Sequence, residues 1–276
     1  MRRMLEKLYD MEIWPEDPYS EEGRRRYDRA LEHMRKLIKH PFIKEVSKAR
    51  PLRVLELCGG TGIGGVALAK ALSEEGIEVD LLITDLREKA LEVAKKWALE
   101  VLGREVRTRV LDARRAYEIG EMFNIVLIYG LSMAHFSPWE FTFILASSGE
   151  LLQDGGIFIV DQVDIRLGIL MRIGYKALVV ERATEDGVVI SLHAGYDVIK
   201  GTAKRLYLNL FSGERVMTDI CYWGLAEIAT LMWLFFKSID FIRMEDERYF
   251  ILGREPRRRI TVKELEESMP PRLRIG

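Results

Sequence analysis

Amide side chains are nearly missing from this 276-residue chain: asparagine stands only at 124 and 209, glutamine only at 153 and 162. With charged residues at 31%, that scarcity is the composition expected of a thermophile protein. Cysteine is limited to Cys58 and Cys221, too few for a disulfide framework, so a reducing, cytoplasmic setting is expected. Histidine occurs four times, and no Cys/His cluster has metal-ligand spacing, so no metal site is expected. Long apolar runs are also missing. The most hydrophobic stretch, 222–236, contains Glu227 and is shorter than a bilayer span, which argues against a membrane partner. The first eighteen residues are charged throughout and do not resemble a signal peptide. A net charge of -1 excludes a basic surface spread over the whole molecule, though not a local basic patch.

Glycine, by contrast, is concentrated in one place. Residues 53–72 read RVLELCGGTGIGGVALAKAL: a buried strand carrying Val54, Leu55 and Leu57, a turn with five glycines, then an Ala-rich helix. Glycines at a strand-to-helix turn allow positive φ and let a ligand approach closely, so the stretch predicts a nucleotide-type cofactor crevice at the mouth of an α/β sheet. Gly60, Gly62 and Gly65 fit the dinucleotide spacing G-x-G-x-x-G. Glu56, four residues before Gly60, would repel a pyrophosphate and suits a cationic ligand instead.

Read as E-L-C-G-G-T-G, the stretch resembles motif I of the class I S-adenosylmethionine-dependent methyltransferases, (D/E)-x-G-x-G-x-G, with Cys58 at the usual first glycine. Two further acidic residues follow at the ends of predicted strands. Asp85 closes strand two (79–84) and can accept hydrogen bonds from both ribose hydroxyls, a feature shared with NAD sites. Asp112, followed by Ala113, closes strand three (106–111), where the resemblance implies adenine recognition. The resemblance assigns the cofactor S-adenosyl-L-methionine, with S-adenosyl-L-homocysteine as product, to Glu56, Gly60, Gly62, Asp85, Leu86, Asp112, Ala113 and Tyr129. It covers residues 50–162 by motif and 219–253 by order of elements.

Strand four (124–129) leads into Gly130-Leu131-Ser132-Met133-Ala134-His135-Phe136, the loop that in this family borders the transferable methyl group. It lacks the [DN]-P-P-[YF] sequence associated with nucleic-acid base methylation. His135 has two readings, a base for the acceptor proton or a loop residue bonded to backbone. The segment 151–156 resembles the family's turn into strand five, which ends at Asp161. Alternating β-branched stretches at 177–184 and 188–199, joined by Asp186-Gly187, then 204–211, predict a small antiparallel insertion.

The expected fold is thus a seven-stranded, doubly wound, mostly parallel α/β sheet with an antiparallel β insertion after strand five. The expected division is a helical cap at 1–50, a Rossmann-like domain at 51–162 and 219–256, the insertion at 163–218 and a tail at 257–276. The insertion would shape an acceptor pocket or a homodimer contact. Trp14, Tyr19 and Tyr27 offer a lid, and Tyr19, His135, Asp161 and His193 are the candidate acceptor contacts. A small-molecule acceptor is the expected partner. RNA, through Arg257, Arg258 and Arg259, or protein stands second, and an NAD(P)-dependent oxidoreductase or a non-catalytic binding protein remains the alternative of another class.

Overall fold

Three helices precede the first strand in the computed structural model, which describes residues 2–185 and 187–273: α1 (Arg2–Asp10), α2 (Glu21–Leu37) and α3 (Pro41–Val46). Helix α2 starts where the sequence signals a cap: the Ser20 hydroxyl accepts from the Gly23 N–H at 3.0 Å, and Glu21 and Glu22 complement the helix dipole. The chain then alternates through β1 (Leu52–Leu57), α4 (Ile63–Glu74), β2 (Val79–Asp85), α5 (Glu88–Leu102), β3 (Arg107–Val110), β4 (Phe123–Ile128), α6 (Pro138–Leu151) and β5 (Leu152–Val163). Helix α6 opens on a capping box between Ser137 and Glu140, with Pro138 in the first turn.

After β5 come the single turn α7 (Ile165–Leu167), a π-type turn (Gly168–Ile173) and four strands: β6 (Leu178–Thr184), β7 (Gly187–Asp197), β8 (Thr202–Asn209) and β9 (Arg215–Ile220). Helix α8 (Leu225–Phe235), the hairpin β10 (Phe236–Glu245) and β11 (Arg248–Pro256), and α9 (Val262–Ser268) complete the chain. The main sheet has the order β10-β11-β5-β4-β1-β2-β3. β3, β2, β1, β4 and β5 run parallel; β11 and β10 close the edge antiparallel. Its central strands are apolar along their length because both faces are covered. One core joins α2, α4 and α5 to the sheet and the other joins α6 and α8 to its opposite face. Strand order reverses between β2 and β4 around β1, so the crevice opens beyond the carboxyl end of β1.

The expected sheet and insertion are both present, with three differences. The insertion has a fourth strand, β9, whose inward positions Val216, Thr218 and Ile220 include a polar residue that hides the alternation. The hydrophobic stretch 222–236 forms helix α8 only from Leu225. The preceding residues are tied elsewhere: the Cys221 N–H donates to Ala134 O, and Trp223 Nε1 donates to the Met133 and Phe136 carbonyls. At the expected 186–187 turn, Gly187 begins β7, and Asp186 lies outside the described residues. One face of the inserted sheet packs Val189, Tyr207 and Val216 against Leu8 of α1 and Met11, joining the N-terminal segment to the insertion.

Candidate functional site

Glu56 is the next-to-last residue of β1, 1% exposed, and its carboxyl is enclosed by the glycine turn that follows. Oε1 accepts from the Gly65 N–H at 2.8 Å, whereas Oε2 has no partner among the described residues. A Cβ at Gly64 would lie 2.5 Å from Glu56 Oε1 and 2.7 Å from Tyr129 Cβ; one at Gly59 or Gly65 would lie within 2.6 Å of Oε2. These glycines are therefore glycine because a carboxyl occupies the space their side chains would take. Burial pushes the Glu56 carboxyl up to about 8, with the Gly65 N–H opposing and the Asp85 charge adding. An orphaned, buried carboxyl oxygen is the feature a cationic group would satisfy.

Cys58 explains its own departure from the motif. It has φ 55°, the left-handed conformation that favours glycine, and its thiol lines the cleft with its pKa raised well above normal by burial. Gly60, at φ 54°, donates its N–H to Asp85 Oδ2 at 2.9 Å, so the turn and the tip of β2 hold each other. Asp85 Oδ1 accepts from the Arg87 backbone at 2.8 Å and from Arg87 Nε at 3.2 Å. Arg87 in turn makes a fork to Glu16 (2.6 and 2.9 Å) and lies 3.5 Å from the centre of the Tyr9 ring. Thr61 Oγ1 adds a 2.5 Å bond to Glu16 O. The N-terminal segment is thereby strapped across the glycine turn by an ion pair whose arginine also holds the β2 carboxylate.

Beyond Asp85 lies a cavity of about 280 Å³, walled by Leu86, Asp112 and Ala113 at the strand ends. Tyr9 of α1, His135 after β4, and Thr202 and Thr218 of the insertion also line it. Asp112 accepts from the Arg114 backbone at 3.0 Å and forms an ion pair with its guanidinium, which also reaches Glu140 at 2.7 Å. His135 Nδ1 is buried without a partner, and its ring meets Trp14 edge-on at 6.0 Å. Burial, seconded by the Arg87 charge, pulls the His135 imidazole down to about 4, so it is neutral at physiological pH. A small adjoining recess of about 30 Å³ is lined by Glu56, Gly60, Tyr129 and Arg26.

The structure thus brings Glu56, Gly60, Asp85, Leu86, Asp112, Ala113, Tyr129 and His135 to one cleft. Four other expected residues are placed differently. Gly62 is absent from the cleft wall; at φ 82° it caps α4, and a Cβ there would meet Ala94 and Ile83. Tyr19 is 49% exposed and packs edge-on against Trp97, together with Tyr27, away from the cleft. Asp161 is fully buried, accepting from the Gly130 and Leu131 N–H groups and pairing with Arg248; it fixes the loop after β4 instead of facing a ligand. His193 points into the insertion, 2.6 Å from the Tyr175 hydroxyl. The Tyr129 hydroxyl is turned to His33, which also contacts Glu245 at 2.9 Å. Tyr9, Glu16, Arg26 and Arg87 were not anticipated. Arg87, two residues after the strand-two carboxylate, is the one with a readable signal.

Among the described residues no helix is long and apolar enough to cross a membrane, and no group of three His, Cys, Asp or Glu side chains is arranged to hold a metal. Residues 54–156 match the methyltransferase domain family. No curated protein matches the chain in sequence. Among solved structures it is similar to the PH0226 protein of Pyrococcus horikoshii OT3, at 23% identity and TM-score 0.60 over 88% of this chain and 96% of that one. It is also similar to the CcbJ methyltransferase of Streptomyces caelestis, at 16% identity and TM-score 0.58 over 81% and 89%. An S-adenosylmethionine-dependent methyltransferase of Clostridium acetobutylicum ATCC 824 aligns at 14% identity and TM-score 0.56 over 78% and 89%. The chain has the class I methyltransferase fold, and within it residues 54–156 match the methyltransferase domain family.

Proposed function

We propose that the protein transfers the methyl group of S-adenosylmethionine to a small-molecule acceptor. The observation that carries this reading is the Glu56 carboxyl, buried under the glycine turn with Oε2 unpartnered. An α-ammonium group satisfies that atom; a dinucleotide pyrophosphate does not. The recess beside it also holds Arg26, suited to the ligand's carboxylate, and the adjoining cavity offers Asp85 for the ribose and Asp112 with Leu86 and Ala113 for the adenine. Arg87 must yield part of its hold on Asp85 for the ribose to bind there.

The bound sulfonium supplies an activated methyl group, and the chain's own task is to orient the acceptor and exclude water. The strap bearing Tyr9 and Glu16 covers the turn. His135, neutral and with Nδ1 unpartnered among the described residues, is one group in the cavity able to take a proton from an acceptor N–H or O–H, alongside the carboxylates of Glu140 and Asp219. Support for a small acceptor comes from the near-neutral chain and from the insertion's contribution to the cavity wall. RNA binding through 257–259 loses support, because Arg257 donates to Phe236 O and Arg258 to Asp154 and Leu152 O.

Calorimetric titration with S-adenosylmethionine, S-adenosylhomocysteine and NADH tests the reading, with Asp85→Asn as control. Micromolar binding of the first two, weakened about 10- to 100-fold in the variant, is expected for hydrogen bonds to a charged group. Binding of NADH alone refutes it.

A further inference from the structure

The inserted sheet has two faces, and among the described residues only one of them is covered. Strand register places Leu178 opposite Leu192, Leu192 opposite Leu206, and Leu206 opposite Met217. A second row runs Val180, Ile190, Leu208 and ends on Arg215. Cross-strand partners share a face, and these rows alternate with the residues packed on α1, so they all project away from it. Leu178, Val180 and Met217 are 52%, 56% and 49% exposed. At the β8–β9 turn Leu210 and Phe211 extend the apolar area, Leu210 being held to Val188 by a backbone bond of 2.9 Å.

We propose that this face is a homodimer interface in which two copies stack their four-stranded sheets across a two-fold axis. Seven of the eight side chains in the two rows are aliphatic or thioether, and Arg215 sits at the β9 end, so the covering surface must itself be apolar. A second copy presents the same apolar surface by symmetry, and a two-fold contact requires a patch that is complementary to itself, as an apolar face is to its copy. Sheets stacked face to face at about 10 Å are the ordinary way to cover such a face. The rows and the adjoining turn expose on the order of 600 Å² per copy, or about 1,200 Å² for a pair, the size at which specific interfaces begin. The opposite face of the same sheet contributes Thr218 to the cavity wall, so pairing stiffens one side of the site.

Sedimentation velocity of the full chain at 1–100 µM gives the test, with far-UV circular dichroism as the check on folding. A species of twice the 31.9 kDa chain mass is expected. Leu178→Glu/Met217→Glu is expected to raise the dissociation constant about 100-fold or more, because it buries like charges without partners. Val180→Lys gives an independent reading should the double variant not fold. Trp233→Glu, an exposed residue on α8, is expected to stay dimeric. A wild type that is monomeric throughout, or a dimer that survives the sheet substitutions, overturns the proposal. A monomer that cosediments with phosphatidylcholine/phosphatidylglycerol vesicles overturns it in favour of a lipid surface.

Discussion

Replacing Glu56 by glutamine separates what this carboxyl does for binding from what it does to stability. The group is 1% exposed, and raising a carboxyl from 4.5 to about 8 corresponds to roughly 5 kcal/mol between its protonated and ionised forms. The unfolded chain loses this proton near 4.5, whereas the folded protein keeps it to about 8. The contribution to stability is therefore complete below 4.5 and is lost as the pH rises through about 8. Glutamine does not titrate. Followed by thermal unfolding without ligand, the melting temperature of the variant should gain on that of the wild type between pH 5 and 8, by about 10 °C for a chain of this size. The binding readout has the opposite sign. At pH 7 the wild-type carboxyl is about nine-tenths protonated, so S-adenosylhomocysteine, bringing an ammonium, should expel nearly one proton. Titrations in buffers of different ionisation heat measure that release; the variant should show none and bind about 10- to 100-fold more weakly. A melting-temperature difference that is flat from pH 5 to 8, together with no proton release by the wild type, would refute the assignment of a cation-binding carboxyl.

Gly64→Ala places a methyl group 2.5 Å from Glu56 Oε1 and 2.7 Å from Tyr129 Cβ, so it should lower stability by about 1–3 kcal/mol and abolish S-adenosylhomocysteine binding in the same calorimeter. The His135 ring resonances should stay unchanged from pH 8 to pH 5, since burial holds the imidazole neutral down to about 4; a titration midpoint near 6.5 would contradict that. Glu16→Gln removes the charge that completes the fork to Arg87, so amide exchange in α1 should accelerate about tenfold while the far sheet edge is unaffected.

The strap and the insertion form one mechanical unit. Leu8 and Met11 are buried against Val189, Tyr207 and Val216 of the inserted sheet, while Tyr9 and Glu16 grip Arg87 at the tip of β2. The first contact has an apolar centre, with Lys7–Glu214 and Glu12–Arg182 ion pairs beside it, so exposing it costs burial energy. The second is a charged fork at the mouth of the cleft, whose arginine also donates to Asp85, the proposed ribose contact. A nucleoside at the proposed site would therefore disturb the Arg87–Asp85 bond, while the packing of α1 on the insertion lies away from it.

What was legible in the sequence follows the range of the interactions involved. Glu56 and Asp85 lie at the ends of β1 and β2 and Asp112 two residues past β3, and strand ends are set by local apolar runs, so their convergence could be read from order alone. Cys58 in place of a motif glycine looked like a departure; its φ of 55° shows that the backbone kept the conformation and only the residue changed. Asp161 misled because a carboxylate at the end of β5 is legible as facing a ligand, whereas its partner Arg248 lies 87 residues on, in β11, and no local pattern announces the pair. Tyr19 misled similarly. It shares the Pro-broken segment with Trp14, but the chain turns between them, sending Trp14 to His135 and Tyr19 to Trp97 on α5. Arg87 marks the boundary between the two cases. Its position after Asp85 is local, yet its hold on Glu16 spans 71 residues and depends on how the N-terminal segment crosses the sheet. Glu56, Asp85 and Asp112 reach one cleft because local strand and turn signals place them there; Arg87, Glu16 and Asp161 find their partners through long-range packing that no stretch of sequence carries by itself.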